Sequence, residues 1–131
     1  MVESFWAIPD VTEVRTPLSI LREQANALTE QTKGVLVGMV EVYRDSQDGD
    51  LTINLEVSVP ALNGYRYRII SYRQPVELYP GTFSGDPIAK IAISNGRVID
   101  EEQFITYIKV VLSSERIRRV LGTLLSQAKD A

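Results

Sequence analysis

Histidine and cysteine are both absent from the 131 residues. The first absence removes the usual general base near neutral pH and the commonest metal ligand. Ser–His or Cys–His nucleophile pairs and imidazole zinc sites go with it. The second removes thiolate catalysis, thiolate metal sites and any disulfide framework. Asp, Glu, Lys, Tyr and Ser remain for chemistry, and these need burial to bring their pKa values into a useful range. The composition therefore favours a non-enzymatic role and implies no cofactor and no metal. An excess of basic charge is lacking too: 14 Lys and Arg against 17 Asp and Glu leave a net charge of -3, with the cations scattered. No run exists to neutralise successive phosphates, so a nucleic-acid partner is not expected. No stretch approaches the roughly 18 apolar residues of a spanning helix, and residues 1–6 lack the basic start and long apolar stretch of a secretory leader. The expectation is a cytoplasmic protein without a membrane partner. Glycine and serine are too sparse for a phosphate-cradling loop, and neither a P-loop nor a dinucleotide fingerprint is present.

What is present is an ordinary globular composition, 44% apolar and 24% charged. A chain of this length buries roughly two-thirds of its unfolded surface in one core. Residues 1–15 mix Phe5, Trp6, Ile8, Val11 and Val14 with Pro9 and acids, an apolar arm expected to dock on something. Thr16-Pro17 is a strong helix start, since Thr can accept an orphan N–H and Pro has none to strand. Leu18, Leu21, Ala25 and Leu28 make one stripe at helical spacing up to about Thr32, with Gly34 as a terminator.

From residue 35 to 73 the period becomes two. Leu51, Ile53, Leu55, Val57 and Val59 alternate with Thr52, Asn54, Glu56 and Ser58, a half-buried strand. Turn-rich connectors at 45–50 and 60–64 join it to strands over 35–44 and 65–73, a three-stranded meander. Symmetric hairpins would place Val59, Val57 and Leu55 opposite Tyr65, Tyr67 and Ile69 on one side, and Val59, Leu55 and Ile53 opposite Leu36, Val40 and Val42 on the other. One continuous apolar face results. The other face would receive Glu56 against Arg68 and Ser58 against Arg66, together with Val35, Val37, Met39, Tyr43, Ile70 and Tyr72. Short strands are expected at 76–79 and 88–93 and a tight turn at Asn95-Gly96. Asp100 through Gln103 reads as a capping box opening a helix with Phe104, Tyr107, Ile108 and Val111 on one stripe. Ser113-Ser114-Glu115 is a second start signal before Ile117, Val120, Leu121, Leu124, Leu125 and Ala128. Two helices or one broken helix would fit.

Several clusters invite a chemical reading and fail it. Asp45, Asp48 and Asp50 surround Gly49, but aligning that glycine with a calcium loop puts Arg44 and Leu55 at ligand positions, so a solvated turn is the better reading. Arg66, Arg68 and Arg73 with Tyr65, Tyr67 and Tyr72 have the mix of a nucleic-acid-binding sheet, yet the alternation sends Arg66 and Arg68 to one face and Tyr65 and Tyr67 to the other. Arg116, Arg118 and Arg119 read as a solvated helix face that can also meet acids on a partner.

The cadence of Thr16 through Ala25, Tyr65-Arg66-Tyr67-Arg68, Tyr79-Pro80 and Phe104 through Ser114 resembles a family of small uncharacterised bacterial proteins. That resemblance implies a bacterial, cytoplasmic setting. The residues point to a single α+β domain over 1–131, with an antiparallel sheet of three to five strands and an N-terminal helix and a C-terminal helical pair on one face. Val35, Val37, Met39, Tyr43, Ile70 and Tyr72 would then remain on the other face, a candidate surface for a homodimer or another protein. The functional expectation is a non-enzymatic interaction or regulatory module. The alternative is small-ligand binding or weak catalysis in a pocket between the sheet and the C-terminal helix.

Overall fold

A computed structural model describes residues 3–9, 15–45, 47, 49–85 and 94–131. Helix α1 (Pro17–Gln31) opens where the capping chemistry places it: the Thr16 hydroxyl accepts the Ser19 N–H at 3.1 Å, with Pro17 in the first turn. Left-handed Lys33 and Gly34 end it, and the Gly34 N–H returns to the Thr29 carbonyl. Ile20, Leu21 and Ala25 form its buried stripe.

Five strands follow, β1 (Val37–Arg44), β2 (Leu51–Val59), β3 (Tyr65–Gln74), β4 (Gly81–Ser84) and β5 (Arg97–Val98), antiparallel and neighbouring in chain order. The first hairpin has the expected register, with Val40 opposite Leu55 and Val42 opposite Ile53. The second keeps it from Val59–Tyr65 to Glu56–Arg68 and then slips, because Ile69 is an extra residue in β3 and Leu55 faces Ile70. This β-bulge inverts the facing of everything after it. Ile70 and Tyr72, expected on the second face, turn instead to the helix-covered side and are fully buried there, while Ser71 turns outward opposite Asn54.

Residues 76–79 form a turn in which the Leu78 N–H meets the Pro75 carbonyl at 3.0 Å, not a strand. The fourth strand comes after the cis Tyr79–Pro80 bond, where Gly81 passes so close to the Tyr72 ring that a Cβ would lie 2.1 Å from its hydroxyl. The expected strand over 88–93 lies outside the described residues. Asn95 and Gly96 both have positive φ in the turn leading into β5.

The C-terminal segment is two helices, α2 (Glu101–Leu112) and α3 (Glu115–Asp130), separated at Ser113-Ser114. Asp100 accepts the Gln103 N–H at 2.8 Å and the Gln103 side chain accepts the Ile99 N–H at 3.0 Å, a reciprocal cap. Ser114 caps α3 through the Ile117 N–H. The acids of the first turn of α2 lie at the positive end of its dipole.

All three helices pack on one face of the sheet. That face carries Leu36, Ile53, Leu55, Val57, Val59, Ile70, Tyr72, Phe83 and Val98, each at most 2% exposed. Burying each such side chain is worth about 1.5–3 kcal/mol, so this layer holds the fold together. Under α2 the rings of Tyr72, Tyr79, Phe83, Phe104 and Tyr107 stack and cross, Phe83 lying parallel to Tyr107 at 4.5 Å between centroids and Tyr72 edge-on to Phe104 at 4.8 Å. The Tyr72 hydroxyl donates to the Leu78 carbonyl at 2.9 Å, fixing the 75–80 turn to the core.

Candidate interaction surface

The uncovered face is read row by row across the strands. Val37 aligns with Ser58 and Arg66, Met39 with Glu56 and Arg68, Glu41 with Asn54 and Ser71, and Tyr43 with Thr52 and Arg73. The face is apolar along β1 and polar from β2 onward. Glu41 breaks the apolar column, but its charge is answered: the Tyr43 hydroxyl donates to its Oε2 at 2.7 Å, and Arg66 Nη1 donates to its Oε1. Arg66 also lies 3.7 Å from Glu56. The Tyr43 hydrogen bond first, and the Arg66 contact second, hold the Glu41 carboxyl below the usual carboxylate range, while the same bond raises the Tyr43 hydroxyl. Farther along, Arg73 bridges Asp45 and Asp50 at 3.2 and 3.1 Å, pinning the β1–β2 turn. In the centre, the Ser71 hydroxyl donates to Asn54 Oδ1 at 2.6 Å, with both residues buried.

Of the six residues expected to form a patch, the structure keeps three together, while Val35 precedes β1 and lines a groove with Pro60, Ala61, Leu125 and Ala128. Val37, Met39 and Tyr43 follow one another along β1, with Tyr43 49% exposed. Ile70 and Tyr72 are removed by the bulge. One member of the border was not anticipated: Val42, 42% exposed, points to the helix side but lies past the cover of α1. Alternation alone put it in the core; only the crossing of α1 near Gly38 shows that the helix does not reach it. The N-terminal arm, expected to be docked, stands free over residues 3–9, with Phe5 91% and Trp6 83% exposed.

The helix layer contains a cleft between α1 and α3, about 150 Å³, floored by Leu55 and Ile69 and walled by Leu28, Leu112, Ile117 and Leu121, with Gln24 and Gln31 on its rim. Tyr79 and Tyr107 are two titratable members of the aromatic cluster; burial pushes the partly buried Tyr79 hydroxyl up to about 12, helped by the Glu101 and Asp100 charges, and burial raises Tyr107. Both stay neutral near physiological pH. Among the described residues, no group of acids is placed to hold a metal ion, and no helix is long and apolar enough to cross a membrane. No family model, curated protein or solved structure matches the chain.

Proposed function

We propose that the chain is a non-enzymatic protein-interaction module of the bacterial cytoplasm that acts as a homodimer through the β1 side of its sheet. The observation that carries this reading is the apolar run of β1, where Tyr43, 49% exposed, follows the partly buried Val37 and Met39 on the uncovered sheet face and Val42, 42% exposed, borders it from the helix side. An exposed apolar strand beside paired charges has the anatomy of an interface. The charged groups of this face support it as well. Glu41 and Glu56 with Arg66, and Asp45 and Asp50 with Arg73, are engaged with one another across an open surface, where a catalytic group would need enclosure to shift its pKa.

Light scattering coupled to size-exclusion chromatography tests the proposal. The wild type is expected at twice 14.7 kDa, and Met39→Glu combined with Tyr43→Glu at the mass of one chain with its circular dichroism intact. A wild type that keeps the mass of one chain at high concentration would falsify the homodimer.

The cleft between α1 and α3 favours a second reading, binding of a small apolar ligand with a polar end that the rim glutamines can meet. Its occupant would raise the melting temperature in a thermal-shift screen. Leu121→Trp, which fills the cleft, is expected to abolish that shift, and uniformly null shifts count against the reading.

A further inference from the structure

The backbone of β1 says more about this interface than its side chains do. At the hairpin the Asp45 N–H donates inward to the Asp50 carbonyl at 2.8 Å. At the other end the Gly38 N–H leaves the sheet altogether and donates to Thr29 Oγ1 at 2.9 Å. Antiparallel alternation between these fixed points turns the N–H and C=O groups of Val40 and Val42 away from β2. The threonines of α1 close the edge up to Gly38, since Thr32 Oγ1 likewise accepts the Leu36 N–H at 3.1 Å. Past Gly38, no described residue meets the outward groups of Val40 and Val42. Past the cover of α1, β1 holds no Pro and no Lys, and its ladder with β2 has no bulge, so Glu41 and Arg44 are the charges left to guard the edge. The opposite edge, β5, is two residues long.

Resting on the self-association proposed above, we infer that the open half of β1 pairs with β1 of a second copy, antiparallel about a two-fold axis at Val42, making one ten-stranded sheet from two of five. Charge and occupancy choose this register. Outward groups belong to even-numbered residues, so the axis must fall at one of the residues from Val40 to Arg44. An axis at Glu41 sets two carboxylates face to face, and an axis at Arg44 sets two guanidinium groups face to face. At Tyr43 it sets Glu41 against the partner's Asp45. At Val40 it demands the Gly38 N–H, which Thr29 already holds. At Val42 it sets Glu41 opposite the partner's Tyr43, repeating across the seam the carboxylate–phenol contact made within each chain, and sets Val40 opposite the partner's Arg44.

The chain has no cysteine, so introduced thiols read the register without background. Glu41 and the partner's Tyr43 would form a non-hydrogen-bonded pair, with Cα atoms about 4.5 Å apart, inside the ~4.4–6.8 Å window of a disulfide. Equal amounts of Glu41→Cys and Tyr43→Cys proteins, mixed and mildly oxidised, are expected to give a heterodisulfide, and either alone to stay uncross-linked. Cross-linking of Glu41→Cys alone, or of Tyr43→Cys alone, places the axis on that residue and overturns the register. Val42→Pro supplies a second readout: it removes one outward N–H, which an edge strand tolerates, and should return a folded single chain. A wild-type dimer with neither the heterodisulfide nor sensitivity to Val42→Pro overturns the strand pairing while leaving the homodimer standing. A monomeric wild type overturns both.

Discussion

The two faces of the sheet are built from the same alternating strands, yet they solve opposite problems. On the helix side the sheet from β2 to β5 is apolar apart from the buried Gln74 opposite Leu51, and the rings of Tyr72, Phe83, Phe104 and Tyr107 close it against α2. On the open side, Asn54–Ser71, Glu41–Arg66 and Arg73 with its aspartates satisfy one another laterally, without a covering layer. Stability is therefore concentrated on one face, and the other can vary its partners at little structural cost. If that division is right, equal truncations on the two faces should have very unequal effects.

The largest effect belongs at the ring cluster. Phe104 is fully buried and touches three other rings, so Phe104→Ala should destabilise by about 3–5 kcal/mol in urea denaturation. A loss below ~1 kcal/mol would mean that α2 is not held by this face. Next comes Gly38, where α1 crosses β1 in backbone contact: an added Cβ would lie 2.2 Å from the Ala25 carbonyl oxygen. Neither partner is a flexible side chain, so Gly38→Ala must push α1 off the strand. The expected cost is about 1–3 kcal/mol, and the same displacement should free the Gly38 N–H from Thr29 and speed its hydrogen exchange. On the open face, Asn54→Ala strands the buried Ser71 hydroxyl and should cost about 1–3 kcal/mol. The double variant with Ser71→Ala should recover part of that loss, because no orphaned group remains.

Much of this division was legible in the residues, and its failures have a single origin. The caps at Thr16, Asp100 and Ser114 and the first hairpin are local chemistry, and alternation in β2 announced which side chains face the core. The bulge at Ile69 was not legible, because Arg68-Ile69-Ile70-Ser71 alternates no better in one register than in the other. Two adjacent isoleucines let either face claim them. That single inserted residue moved Ile70 and Tyr72 from the expected patch into the core. β4 was missed because four residues beginning with glycine and alternating with polar ones carry little strand signal; pairing with β3 makes them a strand. The surface at β1 was half visible, as an excess of apolar residues on the second face. Its boundary was not, since that depends on how far α1 extends along the edge, a tertiary fact.

The smallest effect should come from the charge at the centre of that surface. Glu41 is held ionised by the Tyr43 hydroxyl and then by Arg66, so its folded-state pKa lies below its unfolded one. A depressed carboxylate adds stability above its unfolded pKa, and this contribution disappears as pH falls through the folded value. Glu41→Gln should therefore lower the melting temperature slightly at neutral pH, by less as the buffer is acidified, and not at all once the wild-type carboxyl is protonated. Exposure of the site means that salt should shrink the same difference. A gap between wild type and variant that widens on acidification would show that Glu41 opposes folding. The apolar column of β1 would then carry an unanswered charge, and the contrast between the two faces would fail where it matters most for association.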